Sequence, residues 1–195
     1  MASILKVDTI QDQSGNNIIN ENADTITIGA SGDTITVPTG ASLTVPNGGL
    51  SGQNYPAFEA YLSANQNLTD NVNTKIQFDT ELFDTDSCYD NVTNYRFTPN
   101  VAGKYYVYFQ TRLFSVNTAQ IVLNITTNGS TYRNAFFDPV NGQVAASSLP
   151  LNGIIDMNGT TDYLEFFVQF DVSSGTPVAQ SGIQSCYFGA YRIGD

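Results

Sequence analysis

From Pro56 to Asp195 the chain switches every few residues between short apolar runs and turn-forming residues, and this punctuation limits the fold more than any other feature. Asn-Gly pairs stand at Asn128-Gly129, Asn141-Gly142, Asn152-Gly153 and Asn158-Gly159. Both residues tolerate positive φ, so each pair predicts a tight hairpin turn. The runs between turns predict strands over Ala57 to Ser63, Thr74 to Phe83, Tyr95 to Thr98, Gly103 to Val116, Gln120 to Thr127, Thr131 to Phe137, Val144 to Ile155, Tyr163 to Ser173 and Gln184 to Ile193. Short strands joined by turns, in a chain rich in Gly, Asn, Thr and aromatics and poor in Lys and Arg, predict an all-β sandwich.

Two of these strands are apolar on both faces. Tyr105, Val107 and Phe109 alternate with Tyr106 and Tyr108, and Phe166, Val168 and Phe170 alternate with Phe167. A half-solvated sheet shows polar residues on its outer face, so the pattern implies a second covered surface between subunits.

The N-terminal quarter is organised differently. Ser3 to Ile10 reads as a strand, Gln11 to Asn17 supplies a turn, and Ile18-Ile19 begins a second apolar patch, which together predict a small hairpin. A repeat follows: Asp24 to Gly32 is DTITIGASG, Asp33 to Gly40 is DTITVPTG, and Ala41 to Gly48 is ASLTVPNG. Each unit predicts one strand and one turn, with Thr or Ser on one face and apolar residues on the other. Two apolar side chains per unit cannot enclose a core. Three copies placing Ile26, Ile28, Ile35, Val37, Leu43 and Val45 on a shared axis would bury them; the alternative is a meander folded against the rest of the chain. The expected layout is an N-terminal attachment segment over 1–23, a β-repeat shaft over 24–49, a polar neck over 50–56 and a sandwich head over 57–195.

Within the head, Phe83-Asp84, Tyr89-Asp90, Asn94, Phe97-Thr98-Pro99 and Val101-Ala102-Gly103-Lys104-Tyr105-Tyr106-Val107-Tyr108-Phe109 form an ordered run that resembles the core signature of C1q-like, TNF-related domains. The opening Pro56 to Leu62 and the closing Ser185-Cys186-Tyr187-Phe188-Gly189-Ala190-Tyr191-Arg192-Ile193 agree with it. The matched residue types are structural: Phe97 plugs a sandwich, Gly103 permits a sharp entry into the aromatic strand, and Gly189 allows close packing beside Phe188. The resemblance implies a ten-stranded jelly roll, a compact homotrimer, and exposed loops that bind ligands. It departs from animal members in lacking a Gly-X-Y collagen stalk and a secretory signal. Ser3 to Gly15 is similar to the N-terminal segment of fibre proteins of marine bacteriophages, including phages of cyanobacteria, where that end usually attaches to the particle. A virion fibre, on tail or capsid, is the expectation, with other virion proteins and a host surface glycan or protein as partners.

Enzymatic chemistry has few agents here. The chain has no His, which removes the usual general base, Ser-His-acid triads and His metal sites. Neither a phosphate-binding Gly loop nor a dinucleotide fingerprint occurs, so no cofactor is expected. A glycosidase needs only two carboxylates, and Asp84, Asp86, Asp90, Asp156, Asp162, Glu165 and Asp171 are the candidates, making a polysaccharide-degrading fibre the enzyme alternative; a capsid-decorating binding module is the other. Asp84, Asp86, Asp90 and Asn91 share one loop and offer oxygen ligands of the kind Ca²⁺ takes, on a spacing that matches no EF-hand; turn carboxylates more often serve as solvated caps. Cys88 and Cys186 are too few for a disulfide framework, and their pairing is open. Seven basic against eighteen acidic residues give a net charge of −11, which disfavours nucleic acid and anionic membrane surfaces. No apolar stretch approaches the roughly 20 residues that span a bilayer.

Overall fold

A computed structural model describes residues 9–11, 13–15, 17–22, 25–29, 32–43, 55–115, 117–139 and 145–194. The chain divides into two compact units, Met1–Leu50 and Ser51–Asp195.

In the first unit, β1 (Thr9–Gln11), β2 (Asn17–Asn22) and β3 (Thr25–Ile28) form a three-stranded antiparallel sheet in sequence order. The hairpin turns through Gly15 at φ 85°, beyond ordinary L-residue space. The register puts Ile10 opposite Ile19 and Ile19 opposite Ile28. This row of isoleucines is exposed, as is Ile26 two residues before its end. Among the described residues the repeat therefore supplies one strand, β3, from its first unit; the strand expected in the third unit lies largely outside them. Its second unit is irregular from Asp33 to Pro38 and turns at Thr39-Gly40, with the Ala41 N–H donating to the Pro38 carbonyl at 3.0 Å. Among the described residues no strand pairs with residues 33–38, and Pro38 has no N–H to offer. Ile35, Val37 and Leu43 are exposed, and Val45 lies outside the described residues.

The second unit is a two-sheet antiparallel sandwich. Its first sheet contains β4 (Ala57–Tyr61), β5 (Gln66–Asn67), β7 (Thr80–Asp84), β10 (Gly103–Phe114), β13 (Ala146–Met157), β15 (Val178–Ala179) and β16 (Tyr187–Gly194). The second contains β6 (Asn73–Lys75), β8 (Tyr89–Asp90), β9 (Arg96–Phe97), β11 (Asn117–Thr127), β12 (Ser130–Phe137) and β14 (Leu164–Ser174). β10 is the spine of the first sheet. It pairs β13 along its whole length on one side, and β16 followed by β15 on the other.

The period-two pattern of β10 fills the core: Tyr105, Val107, Phe109, Thr111 and Leu113 are all buried while the intervening residues face outward. Phe97 is fully buried and stacks on Phe58 at 4.6 Å, and Phe188 meets Phe58 edge-on at 5.0 Å. Each such ring removed from water contributes about 1.5–3 kcal/mol. The buried Tyr105 donates its hydroxyl to the Val101 carbonyl at 2.7 Å, and burial, opposed by Arg192, pushes the phenol up to about 12.

Three turn and strand expectations need correction or lie beyond view. Asn128-Gly129 forms the expected β11–β12 turn, with φ 53° and 76°. Asn158 turns the chain into β14 by accepting the N–H groups of Thr160, Thr161 and Asp162 on its Oδ1. Asn152-Gly153, however, lies inside β13, opposite Tyr108 and Val107. Its glycine answers a close approach: a Cβ on Gly153 would stand 3.0 Å from Arg133 Nε. Asn141-Gly142 lies outside the described residues. The single run expected over Thr74 to Phe83 is two strands in different sheets, because residues 76–79 carry the chain across the sandwich and bury Ile76 and Phe78 on the way.

Candidate functional site

The outer face of the first sheet carries a continuous run of half-buried tyrosines flanked by exposed apolar residues. One row runs Ile154, Tyr106, Tyr191 across β13, β10 and β16, and the next runs Asn152, Tyr108, Gly189, Glu59, Phe83 out to β7. A third runs Pro150, Gln110, Tyr187, Tyr61. Ile154 is 50 % exposed, Phe83 46 % and Tyr191 36 %. The tyrosines lean on one another: Tyr106 sits 6.1 Å from Tyr108 and 5.6 Å from Tyr191, and Tyr108 sits 6.3 Å from Tyr187.

Gly189 makes this arrangement possible. The Tyr108 ring lies flat across it, so a Cβ there would be 2.3 Å from Tyr108 Cζ. The ring is pinned from its far end, where the hydroxyl donates to Glu59 Oε2 at 2.6 Å. Burial first, then the bond to Glu59 and its charge, raise the Tyr108 phenol far above the usual range. Gly103 opens β10 at φ 144°, with the Gly194 carbonyl oxygen only 2.3 Å from where a Cβ would stand. No side chain fits between the first residue of β10 and the end of β16.

β14 does not present a matching uncovered face. Phe167 is half-buried beneath Lys75, whose ammonium lies 5.6 Å from the ring centroid. Lys75 also pairs with the buried Glu165 and donates to the Asn94 carbonyl at 3.1 Å. The second apolar face expected on this strand is covered by its own chain.

The acidic loop is organised by its own backbone. Asp90 accepts from the Val92 N–H at 3.1 Å, the Thr93 N–H at 2.8 Å and the Asn94 amide at 2.6 Å. The Thr93 bond foremost, offset in part by burial and joined by the Val92 and Asn94 bonds, lowers its carboxyl to about 2. Asp84 accepts the Tyr89 N–H at 2.7 Å and the Asp86 N–H at 3.3 Å. Among the described residues no three His, Cys, Asp or Glu groups converge to hold a metal ion. Other acids named as glycosidase candidates are likewise engaged: Asp162 accepts from Asn128 and Asn158, Glu165 pairs with Lys75, and Asp156 stands 3.7 Å from Lys104. Cys88 and Cys186 are free thiols in the interior. Burial pushes the Cys186 thiol up to about 12, and the Cys88 thiol is also raised, by burial first.

The family model of the C1q domain matches residues 57–152. The globular domain of zebrafish complement 1qA aligns with a TM-score of 0.51 at 15 % identity, over 71 % of this chain and 97 % of that one. The fold is that of the C1q/TNF jelly roll. The Eiger TNF of S. frugiperda gives a TM-score of 0.51 at 11 % identity, over 72 % of this chain and 94 % of that one. Murine APRIL gives 0.52 at 12 % identity, over 70 % of this chain and 99 % of its own. Comparison with curated proteins gives no match. In this C1q/TNF-like head, Phe97, Tyr105, Val107, Phe109 and Phe188 lie in the core, while Gly103 and Gly189 stand where backbone or ring approaches too closely for a Cβ. The outer face itself is carried by Tyr106, Tyr108, Tyr191, Ile154 and Phe83. Ile154 and Phe83 were hidden from a strand-by-strand reading because cross-strand register is what brings them beside the tyrosines.

Proposed function

We propose that this chain is a non-enzymatic, homotrimeric fibre protein of a bacteriophage particle, its N-terminal segment attached to the virion and its C1q/TNF-like head contacting a host surface glycan or protein. The observation that carries the trimer is the tyrosine-lined outer face of the first sheet, too apolar and too continuous for a lone soluble head. Phe136 and Tyr132 on β12, 62 % and 50 % exposed, continue this surface at its rim, the Tyr132 hydroxyl donating to the Ile154 carbonyl at 3.1 Å. The Ile10, Ile19, Ile28 row and the exposed Ile26, Ile35, Val37 and Leu43 call for the same remedy in the N-terminal unit.

The phage assignment rests on the likeness of Ser3 to Gly15 to the N termini of phage fibres. Receptor binding fits a trimer, because three identical heads multiply a weak contact through effective concentration. A non-enzymatic role fits the absence of His and the engagement of Asp84, Asp90, Asp162 and Glu165 in hydrogen bonds and ion pairs. Deleting residues 1–23 tests the reading: the shortened protein is expected to keep its head association and lose incorporation into particles. Continued incorporation overturns the attachment role.

A further inference from the structure

The outer face of β10 changes character along its length. Near Gly103 it is aromatic, with Tyr106 and Tyr108; toward the other end it becomes Gln110, Arg112 and Phe114. Ala57 enters the head beside Tyr191, and Gly194 leaves it beside Lys104, so both ends of the head's chain lie at the Gly103 end. Arg112 is nine residues further on, about 30 Å away at ~3.3 Å per residue. There an open groove of about 380 Å³ is lined by Asn65, Arg112, Phe114 and Gln180.

Arg112 carries the positive charge of this groove. Acids outnumber bases eighteen to seven in the chain, yet the guanidinium has no carboxylate partner among the described residues and bonds only to the Gln180 side-chain oxygen. Lys75 and Lys104, by contrast, each face an acid. The half-buried Phe114 ring supplies a flat apolar wall, and Asn65, whose Oδ1 is taken by the Ser181 N–H at 2.8 Å, keeps an amide NH₂ to donate. A planar guanidinium binds a carboxylate or sulfate with two parallel hydrogen bonds, amides bond hydroxyls, and an aromatic wall takes the C–H face of a sugar ring. The volume lies within the roughly 300–1,000 Å³ of small-ligand sites.

We propose that this groove, at the end of the head away from where its chain enters and leaves, binds a saccharide bearing a single carboxylate or sulfate, with Arg112 holding the anion and Phe114 the ring. The inference rests on the host-surface reading above and names its ligand class. One cation in a molecule of net charge −11 attracts an isolated acidic group and does not offset repulsion of a polyanion, so a singly charged sugar is favoured over heparin-like chains.

The test uses the full-length protein, with glucuronate as probe and glucose, acetate and heparin as comparison ligands, read by saturation-transfer NMR. Light scattering is recorded on the same samples. Glucuronate is expected to bind, and glucose, acetate and heparin to bind far more weakly. Arg112→Gln is expected to weaken glucuronate about tenfold or more, while Arg133→Gln leaves it unchanged. Arg112→Lys, which keeps the charge and loses the fork, is expected to fall between. Equal binding of glucose, equal binding of acetate, or full retention in Arg112→Gln overturns the site. So does dissociation of the assembly by Arg112→Gln, which would assign the guanidinium to a neighbouring copy's carboxylate. A trimer that ignores glucuronate refutes this site alone; a monomer refutes the fibre reading instead.

Discussion

Replacing Gly189 by Ala adds one methyl group and is expected to disturb assembly more than folding. The new carbon falls 2.3 Å from Cζ and 2.4 Å from Oη of Tyr108, well inside the ~3.5–4.0 Å of ordinary carbon contact. The colliding atoms are the far end of a side chain, so the ring swings off the sheet while the β10–β16 ladder stays. Forcing a group into a packed site costs about 1–3 kcal/mol. The displaced hydroxyl also gives up the 2.6 Å bond to Glu59, worth about 1.5 kcal/mol or less at a half-exposed position. Together these come to about 1–4 kcal/mol, or a fall of roughly 3–16 °C in melting temperature for a head of this size at fixed protein concentration. Light scattering on the same sample is expected to show loss of the trimer, since the ring now stands where a neighbour must pack. Tyr108→Phe is the comparator: it removes only the hydroxyl, is expected to cost about 1 kcal/mol, and keeps the trimer. A Gly189→Ala protein that melts and assembles like the parent refutes the reasoning, because it would mean the tyrosine face is neither tightly packed nor covered.

Two further outcomes concern stability within one head. The hydrogen bonds from Thr93, Val92 and Asn94 hold the Asp90 carboxyl at about 2, below the ordinary aspartate range near 4, so its contribution is present above about pH 4 and lost as pH falls toward 2; Asp90→Ala is expected to cost about 1 kcal/mol at neutral pH and to flatten the stability profile between pH 4 and 2, as followed by chemical denaturation. Lys75→Met strands the buried Glu165 and is expected to cost about 2–4 kcal/mol, whereas Lys75→Met with Glu165→Leu costs less; equal losses in the single and double variants would contradict the pairing.

The head was largely legible because its instructions are local. Alternation along Gly103 to Phe114 identifies the core-facing side without any partner being known, and Asn128-Gly129 names its own turn. What escaped depends on partners distant in sequence. Asn152-Gly153 looks identical to a turn pair, and only the Arg133 side chain lying over Gly153 explains why a glycine sits inside β13. Phe167 looked like interface, since nothing in its own strand tells that Lys75, ninety residues away from its neighbour Glu165, comes to lie over it. The two-residue strands β5, β8 and β15 carry too few residues to show any period. In the first two repeats alternation alone did not decide structure: Ile26 and Ile28 form a strand because β2 offers a ladder, while among the described residues Ile35 and Val37 have none. The Arg112 groove was invisible for a different reason. It is assembled from β10, the loop before β5 and the residue after β15, and no spacing in the sequence joins them.

Size-exclusion chromatography with light scattering on the purified full-length chain measures the cover that the tyrosine face and the isoleucine rows demand. A mass three times the 21.1 kDa of one chain, unchanged on moderate dilution and in salt, is the expected result. A particle of 21.1 kDa that is soluble and fully folded would contradict it.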